Sequence, residues 1–159
     1  MERAIACEAA ALGVDPRISN SDGAGLSSHA AVSVYGNTQG FLAGRRSTRH
    51  DLSCVVIASD ANGMQRDAWY SVHRKASGLE TPEAVGRRAG RQAVQRLGAR
   101  QIPTCRLPVL FEASVARSLL GHFVAAVSGG SLYRKASFLL DRLGQPVFAP
   151  LISLKESPH

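Results

Sequence analysis

The spacing of apolar residues changes its period along the chain, and each change marks an element. Residues 3–12 are alanine-rich and end at Gly13, a composition that predicts a short helix. Asp15, Pro16 and residues 20–25 then read as a turn-rich connector. Residues 30–35 alternate as a strand, residues 36–40 turn, and residues 41–46 return. Val55, Val56 and Ile57 place a stronger strand over residues 52–58, because β-branched side chains suit a pleated surface. Asp60-Ala61-Asn62-Gly63 is a hairpin signal, and residues 65–74, with Trp69, Tyr70 and Val72, supply the antiparallel partner. Together these predict a meander of three or four strands with one packed face and one polar face.

The period then lengthens. Thr81-Pro82-Glu83 opens a helix: threonine caps free backbone donors, proline is preset for the first turn, and glutamate complements the positive helix end. Val85, Ala89, Ala93 and Leu97 form its apolar stripe, Gly86 and Gly90 allow close packing against the sheet, and Gly98 stops it. Residues 100–106 read as a linker. A short strand over residues 107–111, a helix over residues 114–127, a glycine-rich loop over residues 128–137 and short strands over residues 147–149 and 151–154 follow. The expected fold class is α+β: an antiparallel meander packed with helices, then the start of a second β-rich domain. The boundary falls between residues 1–104 and residues 105–159.

Composition narrows the classes. No run of about 18 apolar residues is present, which argues against a membrane span. Glu2 and Glu8 in the opening helix argue against a signal peptide. Cys7, Cys54 and Cys105 are too few and too scattered for a disulfide scaffold, as in a cytoplasmic protein. The net charge of +7 would suit an acidic partner, but Arg45, Arg46, Arg49, Arg87, Arg88 and Arg91 form no single stripe and accompany no nucleic-acid recognition motif, so nucleic acid is not the expected partner.

Candidate chemistry is sparse. His29, His50, His73, His122 and His159 include no pair at helical metal-ligand spacing. Cys54 and His73 are one conceivable nucleophile and base, Ser131 and Lys135 another, and Asp60 and Asp67 a conceivable carboxylate pair. Each has a plainer explanation: a buried cysteine, a loop serine, solvated turn residues. His122 reads as a partly buried histidine bonded to a neighbour. No catalytic, metal or cofactor-binding residue is assigned.

Several segments nevertheless resemble one family. Asp15-Pro16-Arg17-Ile18-Ser19-Asn20-Ser21-Asp22-Gly23, Asn37-Thr38-Gln39-Gly40-Phe41, Asp60-Ala61-Asn62-Gly63, Pro108-Val109-Leu110-Phe111-Glu112 and Ser131-Leu132-Tyr133-Arg134-Lys135-Ala136-Ser137 are similar to the TldD/PmbA family, and most similar to its PmbA, or TldE, branch. The resemblance spans the chain, which looks like the middle of a longer protein. It implies a cytoplasmic, heterodimeric zinc metalloprotease acting on small, extended or unfolded peptides, with roles in peptide-antibiotic maturation and antitoxin degradation. In the catalytic type a helix carries H-E-x-x-x-H. Here Glu112 and Arg117 stand where the histidines would be, and Ala113 where the glutamate would be. The resemblance therefore implies a subunit with no cofactor of its own. It would pair with a TldD-like catalytic subunit, meet peptide substrates, and self-associate when the partner is absent. The loop over residues 128–137, with Tyr133, Arg134 and Lys135, is the expected contact surface.

Overall fold

The computed structural model describes residues 1–157. It divides into two compact units, Met1–Ile102 and the residues from Pro103 onward.

In the first unit, alternation along one strand decides the architecture. Leu52, Cys54, Val56 and Ala58 are fully buried, while the residues between them are only partly so. This two-residue period places the even positions on one face. The strand that carries them, β2 (Leu42–Asp60), lies between β1 (Ile18–Gly36) and β3 (Gly63–His73) in an antiparallel sheet of order β1-β2-β3. Helices α1 (Glu2–Leu12) and α2 (Pro82–Gln95) cover the even face, where Cys7, Ala11, Val85, Ala89 and Ala93 join the β2 row with Ile18 and Leu79. Burying each larger side chain of this set, such as Leu52 or Val85, stabilises the fold by about 1.5–3 kcal/mol.

The meander is therefore present, with three strands. The strands are longer than the sequence suggests. Residues 20–25 lie within β1, which absorbs their turn-forming character through register shifts between Ile18 and Asn20 and between Ser21 and Gly23, where Gly23 has φ +109°. Residues 41–46 and 52–58, expected as two strands, are parts of β2, because the continuous ladder to β1 from Gly36↔Leu42 inward holds the intervening polar residues extended.

α2 begins as its sequence requires: Thr81 Oγ1 accepts a hydrogen bond from the Ala84 amide at 3.2 Å, and Pro82 occupies the first turn. Gly86 and Gly90 do permit a close approach, Gly86 to α1 and Gly90 both to α1 and to Ile18 of the sheet. A methyl group on Gly90 would lie 2.8 Å from the Ala11 carbonyl oxygen.

The second unit contains α3 (Ala113–Val127) and α4 (Gly129–Tyr133). The expected second β-rich region is overturned: among the described residues no strand follows His73. Residues 107–111, 147–149 and 151–154 are irregular instead. A strand needs a neighbour for its amides and carbonyls; Pro108 removes a donor from the first stretch, and Pro146 and Pro150 flank the other two. Among the described hydrophobic residues of this unit only Ala126 is buried, and Phe123 meets Phe148 edge to face at 5.1 Å. Gly129 and Gly130, expected in a flexible loop, open α4 directly after α3 ends at Ser128.

Candidate functional site

The three residues that the resemblance sets against the family's metal ligands and base, Glu112, Ala113 and Arg117, lie at the start of α3. Glu112 is the N-cap: its Oε2 accepts a hydrogen bond from the Ser114 amide at 2.9 Å and another from the Ser114 hydroxyl. That carboxylate serves the helix's own free donors. Ala113 is the first helical residue and Arg117 lies one turn on. A capping carboxylate, a methyl group and a guanidinium do not fit a zinc ion and its activated water, which require converging neutral imidazoles or thiolates and a free base. Among the described residues no three histidine, cysteine or acidic side chains stand close enough to hold a metal ion.

His122, on the same helix, is exposed rather than partly buried. Tyr133 is exposed at the end of α4, and Lys135 follows with φ 55°. Ser131 Oγ accepts a hydrogen bond from Ser128 Oγ at 2.9 Å, so this serine belongs to the junction of the two helices. Beside them Phe123, Val127, Leu132, Tyr133 and Leu139 line an apolar cleft of ≈ 640 Å³.

The other candidate pairs are kept apart by strand register. Cys54 pairs with Trp69, four positions from the His50↔His73 pair. Cys54 faces α1, where its thiol hydrogen-bonds that of Cys7. Burial above all, and then the neighbouring Cys7, push the Cys54 thiol up to about 12; burial likewise raises Cys7. Neither is a ready nucleophile. His73 Nδ1 instead meets the backbone of Lys75, and His50 Nδ1 lies 2.8 Å from Ser28 Oγ. Asp67 faces Arg96 at 3.4 Å, whereas Asp60 accepts from the Asn62 amide. These carboxylates act separately.

One grouping escapes linear reading. β3 ends at His73, whereas β2 continues to Leu42, so the β1–β2 ribbon projects past the third strand. On its odd face, at the end of β3, a cleft of ≈ 710 Å³ is lined by His29, Arg45, Arg49, Val72, Arg74 and Lys75, among others. The nearby acid, Asp51, lies 3.6 Å from Arg49. Arg45 and Arg46, adjacent in sequence, point to opposite faces, while Arg45 and Arg49 share one. The signal was available: a four-residue spacing places two arginines on one face once residues 42–60 are read as a single strand. Arg74 and Lys75 join them only through the fold.

Comparison with known proteins follows the same two-part division. Residues 1–97 match the PmbA/TldA metallopeptidase central domain, and residues 104–159 match the PmbA/TldA metallopeptidase C-terminal domain. The chain is 45% identical over its whole length to metalloprotease PmbA of Escherichia coli O157:H7 and 44% identical over 99% of its length to a PmbA homologue of Haemophilus influenzae. It spans about 35% of the length of each. The crystal structure of a protein from Thermotoga maritima, described as a proposed modulator of a DNA gyrase, superposes with a TM-score of 0.83 at 25% identity, over 91% of this chain and 33% of that one. A Bacteroides thetaiotaomicron protein of like description has the same fold, with a TM-score of 0.83 at 23% identity, over the same shares of both chains. On these matches the chain belongs to the PmbA/TldD metallopeptidase family.

Proposed function

We propose that this chain is part of the non-catalytic, PmbA-type subunit of a heterodimeric metallopeptidase, and that its partner supplies the zinc and the activated water. The reading rests on the resemblance, which sets Glu112, Ala113 and Arg117 at the three positions of the family's metal-binding helix, and one observation supports it: Glu112 is engaged in capping α3. The chain's own contribution is then to shape and hold the extended or unfolded peptide that the partner cleaves, as in peptide maturation or antitoxin degradation. The apolar cleft beside α4, with Tyr133, Arg134 and Lys135 at hand, is the surface on the second unit suited to that contact. Among the described residues no helix is long and apolar enough to cross a membrane.

The test is to purify the chain alone, a TldD-type subunit alone and the two together, and to measure bound zinc and cleavage of an unfolded peptide. The expected result is zinc on the TldD-type subunit only and cleavage that rises when both are present. Stoichiometric zinc held by the isolated chain would overturn the assignment.

A further inference from the structure

The overhang of β2 beyond β3 leaves a row of backbone groups in want of a partner. The β2–β3 ladder ends at His50↔His73, and the chain then bends through Arg74 and Lys75 into a 3-10 turn at Ala76–Gly78. Among the described residues no strand pairs with residues 42–49 on that side, although β1 holds the same residues extended from the other. Thr48 Oγ1 donates to the Arg74 carbonyl at 2.7 Å, so Arg74 and Lys75 cover residues 48–49, and the open edge is residues 42–47, about 20 Å of preformed strand at roughly 3.3 Å per residue. An added strand would lie in line with β3, and its backbone would complete a ladder already begun.

The side chains around the edge specify what would be added. Arg45 and Arg49 project from the same face four residues apart, and Arg74 and Lys75 stand at the inner end. Residues 18–36, which form the other long edge of the sheet along β1, contain no lysine or arginine. Charge therefore distinguishes one edge from the other. It also disfavours a second copy of this chain, which carries a net charge of +7.

We propose that residues 42–47 of β2 are a strand-addition site for an extended acidic segment of a partner protein. Cross-strand neighbours in a sheet stand about 4.5–5.5 Å apart at Cβ. A segment with acidic residues two positions apart, opposite Arg45 and Ser47, and a β-branched residue between them, would place one carboxylate beside Arg45 and the other on the diagonal to Arg49, within reach of its long side chain. Backbone pairing would supply affinity, and the two arginines would select the sequence and its register. The site lies on the first unit, and its occupation does not depend on the chain's part in a peptidase.

The probe is a fluorescein-labelled peptide of alternating threonine and valine with two glutamates two positions apart, titrated with the full chain and followed by anisotropy. Losing an oriented charge pair worth about 1.4 kcal/mol corresponds to a roughly tenfold weaker complex. Arg45→Glu and Arg49→Glu are each expected to weaken binding by at least about that factor. Arg46→Glu, with the same charge change on the opposite face, is expected to cost less than about threefold. N-methylating the alternate peptide amides that face β2 keeps the charge but removes the ladder, and is expected to abolish binding. No binding of the probe, equal binding of the N-methylated peptide, an Arg46→Glu effect matching Arg45→Glu, or tighter binding of a single-stranded oligonucleotide of equal charge would each overturn the proposal. The altered side chains are exposed, and an unchanged melting curve establishes that each variant is folded.

Discussion

Gly86 in α2 rests directly on the backbone carbonyl of Cys7 in α1, so closely that a methyl group on Gly86 would overlap the carbonyl oxygen. The obstacle is backbone, which cannot rotate aside. Gly86→Ala is expected to push the two helices apart and destabilise the first unit by about 1–3 kcal/mol or more, despite alanine's better helix propensity. Urea denaturation followed by circular dichroism measures the loss. A variant as stable as the parent would show that the helices do not need this approach.

The three cysteines should divide by accessibility. Cys7 and Cys54 are buried in the core of the first unit and Cys105 is exposed. Ellman's reagent is expected to titrate one thiol quickly in the native chain and all three after denaturation. Replacing Cys105 with serine should remove the fast phase.

The same burial predicts an alkaline limit to stability. Burial pushes the folded Cys54 thiol up to about 12 from its ordinary value near 9.0. Above pH 9 the unfolded chain releases a proton that the folded chain keeps, so stability from this thiol is complete below pH 9 and falls as pH rises toward 12. The slope approaches about 1.4 kcal/mol per pH unit for each such proton. Denaturation midpoints at pH 7.5 and 10.5 should separate in the parent and converge in Cys54→Ala. Equal separation in both would assign the alkaline loss to other groups.

The single tryptophan reports on the packing of α2. Arg88 lies 3.5 Å above the Trp69 ring, which also donates from Nε1 to Glu80 at 3.4 Å. Arg88→Ala is expected to cost about 0.5–1 kcal/mol and to red-shift Trp69 emission as water reaches the ring face. Arg88→Lys should retain part of both. An unshifted spectrum in Arg88→Ala would mean that Arg88 does not shield the ring.

These contacts also show which features the sequence expressed. The start of α2 was legible because Thr81, Pro82 and Glu83 act locally, within one helical turn. The burial of Val85, Ala89 and Ala93 followed from their spacing. The length of β1 and β2 was not legible: Asn20, Ser21 and Gly23 have turn chemistry, and only pairing with residues 55–57 of β2 makes them strand. Gly86 was recognised as a contact glycine, but its partner was misassigned, since spacing on one helix does not name the element opposite it. The second unit failed for a related reason. Short apolar runs at 107–111 and 147–154 resemble strands, yet strands exist only with neighbours, and local sequence does not report their absence. At α3 the resemblance implied from the letters that the metal-binding residues are replaced, whereas the use of Glu112 as a cap required the structure. The grouping of Arg45 and Arg49 with Arg74 and Lys75 also waited on it, because it depends on where β3 stops.

β2 itself is unbroken from Leu42 to Asp60, since the extra residues at both register shifts belong to β1, and this ties the exposed ribbon to the buried core by simple parity. Leu52, Cys54, Val56 and Ala58 fix which side is even at the inner end, and the outer end inherits that choice. Inserting one residue between Arg49 and His50 would leave the core in phase, while every side chain farther out changed sides. The ribbon's arginines are thus oriented by hydrophobic residues that never touch them, and their direction can be reversed without altering any residue already present.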